Sequence, residues 1–303
     1  MRGKVWPSSG IFGTLGRVDI ANETPLPEPV QPPVRFTPTP DNPPWHILVA
    51  MGVWILSVIF IVAVPLFFVV PYVVSQGVDF SDKERLQNYL TTDPTAVLLQ
   101  LAPIILAHLL TLFVAWFVVT KANTYSFRET LGWRMNGFRV WHALALTIFF
   151  FGVAASLTAI FGKVENDFDR LIKSSRAAVF LIAFFATFTA PIVEEVIYRG
   201  LLFSAFKRRF GTVIAIILPT LLFTAVHVPQ YSANNTPDYA TVITLFLLSL
   251  TLTLVRAGTN NLLPCIVLHT IFNGIQSALL IAEPYVFPAD PVVTPGILLH
   301  RLF

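Results

Sequence analysis

The chain has 303 residues, of which 55% are apolar and 12% are charged, whereas an average soluble protein has about 25% charged residues. Its mean hydropathy of +0.70 indicates more apolar surface than a soluble fold of this size could cover. One cysteine excludes a disulfide scaffold, and a net charge of +3 gives no signal for nucleic-acid binding. The sequence therefore predicts an all-α, polytopic transmembrane helical bundle with the lipid bilayer as its surroundings and no nucleic-acid partner.

The two ends of the chain differ in composition from the rest. Residues 1–44 contain ten of the 23 prolines, and proline lacks an amide donor and fixes φ. This composition predicts a disordered cytoplasmic tail over 1–44 and a transmembrane bundle over 45–283. Four further prolines lie in 284–303, which predicts a Pro-rich C-terminal tail rather than an unbroken helix.

Long apolar runs between the tails predict the membrane-spanning helices, since about 20 helical residues cross the hydrocarbon core. We expect about seven spans, within a range of six to eight. They lie roughly at 47–74, 95–120, 141–162, 177–206, 212–230, 239–256 and 262–282.

The lysines and arginines of the connections predict the orientation. The connections on the side of the N-terminus carry 12 of them, and those on the opposite side carry seven. We therefore expect an integral, multi-pass membrane protein with a cytoplasmic N-terminus, in the plasma membrane if the source is bacterial.

Three ionisable residues interrupt the fourth apolar run: Glu194, Glu195 and Arg199. Each costs at least about 2.5–3.5 kcal/mol in a bilayer, so their presence indicates a functional or structural cluster. Glu195 and Arg199 are four residues apart with the acid first, the favourable spacing for a helical ion pair. Glu194 lies about 100° round the helix and has no such partner. Pro191 is expected to bend the helix just before these residues.

Three more polar residues lie on later spans. His227 is on the fifth span, and His269 and Asn273 share one face of the seventh. The short connection between the fourth and fifth spans predicts that they run antiparallel, with Glu194 and His227 at similar depth. Straight-helix counting leaves His269 about 10 Å shallower than Glu194, so a kink or different helix ends must bring them together.

These residues suit hydrolysis of a peptide bond. Glutamate and histidine can hold a water molecule and take its proton, and amide or imidazole N–H groups can stabilise the oxyanion that forms. The sequence contains no His-Glu-x-x-His, Gly-x-Ser-Gly or Gly-x-Gly-Asp motif of the other membrane proteases. Two isolated residues, His108 and Cys265, are interpreted as packed core residues.

The motifs Glu194-Glu195-x-x-x-Arg199, Phe223-x-x-x-His227 and His269-x-x-x-Asn273, in this order and on predicted spans, resemble those of the CPBP family. This family comprises type II CAAX prenyl proteases, bacteriocin-processing enzymes and abortive-infection-like proteins. The likeness covers roughly residues 180–280, within a protease core expected at about 177–282.

The resemblance implies an intramembrane endopeptidase that cleaves a peptide or protein substrate, membrane-associated or lipidated in some members. It assigns Glu194 as the base, with His227 helping to hold the water. It implies that His269 and Asn273 form the oxyanion site and that Glu195 and Arg199 support it. No cofactor is expected from this mechanism.

Two alternatives remain open at this point. Glu194, His227 and His269 form a two-histidine, one-carboxylate set that suits a catalytic zinc ion, and the enzyme would then be a zinc metalloprotease. The same ionisable residues also suit a non-catalytic membrane scaffold or a proton-coupled transporter.

Overall fold

Side-chain caps and glycine stops set the ends of the helices. The structure, a computed structural model, describes residues 36–233 and 236–286. Asp93 and Asp238 each accept a hydrogen bond from a backbone amide in the first turn of a long apolar helix, as N-capping residues do. Gly211, with φ of 84°, allows the chain to reverse between two helices in a single residue.

The described part of the chain contains ten helices of five or more residues and one short 3₁₀ helix, Pro229–Tyr231. The ten longer helices are α1 Ile47–Ser75, α2 Lys83–Thr92, α3 Pro94–Val119, α4 Phe127–Leu131, α5 Val140–Phe161, α6 Asp167–Ser174, α7 Arg176–Phe210, α8 Thr212–His227, α9 Tyr239–Thr259 and α10 Leu263–Val286. A short antiparallel pair, β1 Ser232–Ala233 and β2 Thr236–Pro237, lies between α8 and α9. Proline interrupts α3, which is regular over Pro94–Leu101 and Ile104–Val119.

Each of the seven predicted apolar runs is a helix. Six of them, α1, α3, α5, α7, α9 and α10, are long and apolar enough to cross a membrane, and α8 is shorter at 16 residues. The prediction of an all-α, polytopic membrane bundle is confirmed. Large apolar side chains such as Phe67, Ile148 and Ile160 are exposed on the outer surface, where lipid rather than water is the expected neighbour.

Helix α7 occupies the centre of the bundle and packs against α1, α3, α8, α9 and α10. It is α-helical over Arg176–Phe184, Ala190–Glu195 and Phe203–Phe210, with π-helical stretches between these parts. Small residues such as Ala50, Ala115 and Ala215 are buried in the core around its second half. Small side chains let helix backbones approach closely, which is the main source of packing energy inside a bilayer.

Part of the predicted N-terminal tail lies against the bundle. Residues 1–35 of that tail, and 287–303 of the C-terminal one, are outside the described residues. Within the described part, Lys207 pairs with Asp41 at 2.6 Å, and Arg208 donates hydrogen bonds to the carbonyl oxygens of Pro43 and Trp45. The segment 40–45 is thereby held at the C-terminal end of α7. At the other end of the chain, α10 continues through Pro284 to Val286.

Two backbone carbonyls in the second π-helical stretch of α7, Val196–Leu202, accept hydrogen bonds from outside the helix. The Trp45 indole donates to the Leu201 carbonyl at 3.1 Å, and Arg256 Nε donates to the Arg199 carbonyl at 3.0 Å. A change from α to π bonding disturbs the regular pairing of carbonyls, and a buried carbonyl without a partner is costly. Trp45 and Arg256 therefore stabilise the wide turn.

Replacing Trp45 by phenylalanine should lower the melting temperature of the detergent-solubilised protein. The change keeps an aromatic ring in a buried position but removes the donor to Leu201, which should cost about 1–3 kcal/mol. Trp116, which is 38% exposed, provides the matched control, and Trp116→Phe should leave the melt unchanged. Equal shifts in the two variants would show that the Leu201 hydrogen bond contributes nothing specific.

Candidate active site

The middle of α7 carries the two glutamates on a short α-helical segment between two π-helical stretches. The first stretch is Phe185–Thr189 and the second is Val196–Leu202, so Ala190–Glu195 lies between them. Pro191, at the start of this segment, cannot donate the regular backbone hydrogen bond, which accounts for the irregular turn before it. Wide turns of this kind occur mostly at functional sites. The distortion predicted from Pro191 is therefore present as a π-helical stretch.

Glu195 and Arg199 form the predicted ion pair. Arg199 Nη1 lies 2.9 Å from Glu195 Oε1, and both side chains are fully buried. The remaining donors of Arg199 reach α9: Nε donates to Thr253 Oγ1 at 3.2 Å, and Nη2 donates to the carbonyl and hydroxyl of Ser249. A buried charge is tolerated when it is both paired and hydrogen-bonded. Ser249 and Thr253 were not among the predicted site residues, although their spacing of four on an apolar span could have indicated them.

His269 contacts the same carboxylate oxygen of Glu195 as Arg199 does. Its Nδ1 lies 2.8 Å from Glu195 Oε1, and the side chain is 3% exposed. Glu195 Oε1 already accepts a hydrogen bond from Arg199 Nη1, and an oxygen that acts as an acceptor requires His269 Nδ1 to carry the proton in this contact. In neutral His269, therefore, Nε2 carries a lone pair. This atom faces Glu194 Oε2 at 3.7 Å.

His227 has the same proton arrangement for a different reason. Its Nδ1 lies 2.7 Å from the Phe223 carbonyl one turn earlier in α8, and a carbonyl oxygen can only accept. His227 Nε2 therefore also carries a lone pair in the neutral side chain, and it faces Glu194 Oε1 at 3.9 Å. The Phe223 ring neighbours both histidines, with its centroid 4.5 Å from that of His227 and 6.2 Å from that of His269.

Three hydrogen-bond acceptors thus converge on one region: the Glu194 carboxylate and the two Nε2 atoms. Separations of 3.7 and 3.9 Å are longer than direct hydrogen bonds, and polar groups at such distances are commonly bridged by water. Three acceptors that face one another need a partner that donates hydrogen bonds or carries positive charge. A water molecule would donate hydrogen bonds, and a metal ion would carry positive charge.

The fit of a zinc ion to these residues can be judged from the donor set. Two imidazole nitrogens and a carboxylate are ordinary zinc ligands, and the Nδ1 hydrogen bonds of both histidines match the outer contacts of zinc-bound histidine. Tetrahedral zinc would bring ligand atoms to about 3.4 Å from each other, slightly closer than the observed separations. In the described part of the chain, no three His, Cys, Asp or Glu side chains lie close enough together to hold a metal ion as they stand, so Glu194, His227 and His269 would have to approach one another to do so.

Asn273 lies on the same face of α10 as His269 but is engaged elsewhere. Its Nδ2 donates to the carbonyl of Ala186 at 2.9 Å, which connects α10 to the first π-helical stretch of α7. One of the two amide hydrogens is thereby used, and the second remains. The two residues that the sequence analysis regarded as core also have polar contacts: His108 bonds Thr189 Oγ1 at 2.8 Å, and the Cys265 thiol reaches the Leu252 carbonyl at 3.3 Å.

The expected depth mismatch between His269 and Glu194 is absent because α7 is longer than its apolar run. Its 35 residues far exceed the roughly 20 needed to cross the bilayer. The final segment, Phe203–Phe210, carries Lys207, Arg208 and Arg209. The C-terminal end of α7 therefore does not mark the membrane surface. The depth of Glu194, when it is counted from that end, is overestimated.

A cavity of about 530 Å³ contains the site. Glu194, His227, His269 and Asn273 all line it, together with apolar residues of α1, α3, α8 and α9. Its polar lining away from the site comes from the connections before α6 and α9 and from the end of α10, including Lys163, Asn166, Asp238 and Glu283. The cavity therefore extends from the site toward the ends of the helices opposite Lys207–Arg209.

The comparisons with known proteins bear on this segment of the chain. Residues 176–275 match the family model described as type II CAAX prenyl endopeptidase Rce1-like. No curated protein and no solved structure matches the chain. The matched segment is about a third of the chain and contains all six residues that the sequence analysis selected for the site. Residues 176–275 are therefore similar to the Rce1-like type II CAAX prenyl endopeptidases, and this match together with the six long apolar helices supports a membrane-embedded peptidase.

Proposed function

We propose that the protein is an intramembrane endopeptidase in which Glu194 activates the water that hydrolyses a peptide bond. The observation that carries this proposal is the convergence of three acceptors, Glu194 and the Nε2 atoms of His227 and His269, at 3.7 and 3.9 Å. A water molecule among them donates one hydrogen to the carboxylate and the other to an imidazole. Its oxygen then keeps a lone pair for attack on a carbonyl carbon.

The proton transfers follow from this arrangement. As the water oxygen bonds to the carbonyl carbon, its proton passes to Glu194 and the carbonyl π pair moves to oxygen. When the tetrahedral intermediate collapses, the C–N bond breaks and protonated Glu194 gives its proton to the leaving amine. The base therefore acts afterwards as the acid, and the carboxylate returns to its starting state.

Glu195 and Arg199 support this chemistry without contacting the substrate. Glu195 accepts the Nδ1 hydrogen of His269, which keeps the lone pair of Nε2 directed at the water. Arg199 in turn pairs with Glu195 at 2.9 Å and donates hydrogen bonds to Ser249 and Thr253 of α9. A buried partner that orients a catalytic histidine in one tautomer is a common device in hydrolases.

The description of the matched family suggests which substrate to test first. The matched family is described as prenyl endopeptidases, and we propose for this chain a peptide or protein substrate at the membrane. A labelled farnesylated peptide is the appropriate first probe. The cavity volume of about 530 Å³ is in the range of sites that enclose a small ligand or a short peptide segment.

We propose an orientation with the N-terminus in the cytoplasm, and the plasma membrane as the location if the source is bacterial. Its support is the count of 12 basic residues against seven in the connections. One of the 12, Arg256, is fully buried and bonded to α7. With this orientation, the cavity extends toward the non-cytoplasmic ends of the helices, and the substrate would enter from that side.

Zinc chemistry is the second candidate, favoured by one observation. Both histidines direct an unprotonated Nε2 at Glu194 while their Nδ1 atoms are held by Glu195 and Phe223, as in zinc-ligating histidines. His227, His269 and Glu194 would hold the ion, which would supply Lewis-acid activation of the water when bound. We favour the metal-independent mechanism because Asn273, beside the site, suits an oxyanion better than zinc.

The variant Glu194→Gln should reduce kcat by at least about 10²–10⁴-fold, the usual contribution of a general base. Its melting temperature should stay close to wild type, because Glu194 makes no hydrogen bond shorter than 3.5 Å among the described residues. Glu195→Gln should instead leave Arg199 buried without an ionised partner, at a cost of about 3–5 kcal/mol, with a smaller loss of kcat. Cleavage of the farnesylated peptide and thermal melts on the same preparations provide both measurements, and the reverse pattern would contradict the assignment.

Removal of metal should leave hydrolysis intact. We expect activity to survive exhaustive chelation, and elemental analysis to give well under one zinc per chain. Stoichiometric zinc that is lost in His227→Gln, together with activity that is lost on chelation and restored by zinc, would establish the metalloprotease mechanism instead.

A further inference from the structure

We propose that Tyr198 is a further catalytic residue, which donates a hydrogen bond from its phenol to the oxyanion of the tetrahedral intermediate. This inference rests on the proposed function. Tyr198 follows Glu194 by one helical turn in α7, is 6% exposed, and lines the cavity that contains Glu194 and both histidines. In the sequence, Tyr198 directly precedes Arg199 and occupies the last variable position of the motif Glu194-Glu195-x-x-x-Arg199. No role was expected of it.

The site is short of hydrogen-bond donors. Hydrolysis through an oxyanion needs donors aimed at the developing negative charge. The N–H groups of His227 and His269 are both engaged, by the Phe223 carbonyl and by Glu195. Neutral His269 therefore cannot act as the oxyanion donor that the family resemblance implies. Asn273 retains one amide hydrogen after its bond to Ala186, so a second donor is needed.

The aromatic contacts connect Tyr198 to the histidines through one shared ring. Its ring centroid lies 5.1 Å from that of Phe223 in an edge-to-face arrangement. The same Phe223 ring contacts His227 at 4.5 Å and His269 at 6.2 Å. Phe223 is thus a common neighbour of Tyr198 and both imidazoles, and all four residues line the cavity.

The Tyr198 oxygen has a partner that leaves its proton available. Trp54 of α1 donates its indole N–H to this oxygen at 3.2 Å. The indole nitrogen can only donate, so the phenol is the acceptor, and no acceptor for its own hydrogen is present among the described residues. A hydroxyl that accepts one hydrogen bond becomes a better donor in another. Through Trp54, α1 contributes to a site that otherwise lies in the matched domain.

The chemical step requires no proton from Tyr198. The carbonyl π pair moves to oxygen as the water adds, and that oxygen accepts hydrogen bonds from the phenol and from the free amide hydrogen of Asn273. The phenol keeps its proton throughout. When the C–N bond breaks, the carbonyl re-forms and the amine takes its proton from Glu194, so the hydrogen bond from Tyr198 weakens again. The contact is strongest in the transition state, which is where it lowers the barrier.

The competing explanation is that the Trp54–Tyr198 hydrogen bond only fastens α1 to α7. Two matched variants separate the explanations. Tyr198→Phe removes the hydroxyl but keeps the ring against Phe223 and Arg199, whereas Trp54→Phe removes the same hydrogen bond and leaves the hydroxyl in place. Both should lower the melting temperature by a similar amount.

Steady-state hydrolysis of the farnesylated peptide should then distinguish the two variants. Tyr198→Phe should lower kcat about 10²-fold, in the range found for loss of one oxyanion donor, with KM within about twofold of wild type. Trp54→Phe should lower kcat only a few-fold. Replacing Tyr198 by 3-fluorotyrosine, which keeps the hydroxyl and hardly changes the ring, should preserve turnover and show that loss of the hydroxyl causes the defect.

Equal losses of kcat in Tyr198→Phe and Trp54→Phe, or a normal kcat in Tyr198→Phe, would overturn the role of Tyr198. Either result would leave the proposed function standing as long as Glu194→Gln is inactive. Hydrolysis that persists in Glu194→Gln, or a wild-type protein that does not hydrolyse peptides, would instead overturn the proposed function and the role of Tyr198 with it.

Discussion

The buried chain of Arg199, Glu195 and His269 is the interaction on which the rest of the site depends. A single carboxylate oxygen accepts from the guanidinium at 2.9 Å and from the imidazole at 2.8 Å, and all three side chains are at most 3% exposed. Buried charges are tolerated when they are paired and hydrogen-bonded, and both contacts of this carboxylate are made by Oε1, since Oε2 has no partner among the described residues. The chain connects α7, α9 and α10, so the arrangement that orients His269 also holds the bundle together.

The irregular geometry of α7 positions the glutamates for these contacts with Arg199 and His269. Two π-helical stretches flank the glutamates, and each stretch is stabilised from outside: Asn273 donates to the Ala186 carbonyl, and Trp45 donates to the Leu201 carbonyl. A wide turn is less favourable than a regular one and persists where neighbouring groups satisfy it. Residues far from the glutamates in sequence therefore determine where the glutamates point, and the N-terminal segment 40–45 takes part in the fold of the core.

Patterns within one helix could be predicted from the sequence, and partners between helices could not. The Glu195–Arg199 pair follows from its spacing, and the apolar runs predict the helices because length and hydropathy determine a span. The bond between Asn273 and Ala186, by contrast, depends on the rotation of α10 and on a backbone carbonyl that has no sequence signature. The spacing of Ser249 and Thr253 places them on one face of α9, but it does not identify Arg199 of α7 as their partner. The depth of His269 was misjudged because α7 continues beyond its apolar run.

The protonation of the two histidines is the central claim about the site, and ¹⁵N NMR of the histidine-labelled protein measures it directly. Signals are assigned by loss in His227→Gln and His269→Gln, each compared with the wild type at neutral pH. The account predicts that Nδ1 is protonated and Nε2 is unprotonated in both histidines, so that both lone pairs face Glu194. A protonated Nε2 in neutral His227 or His269 would contradict it, because a donor would then replace one of the three acceptors proposed to hold the water.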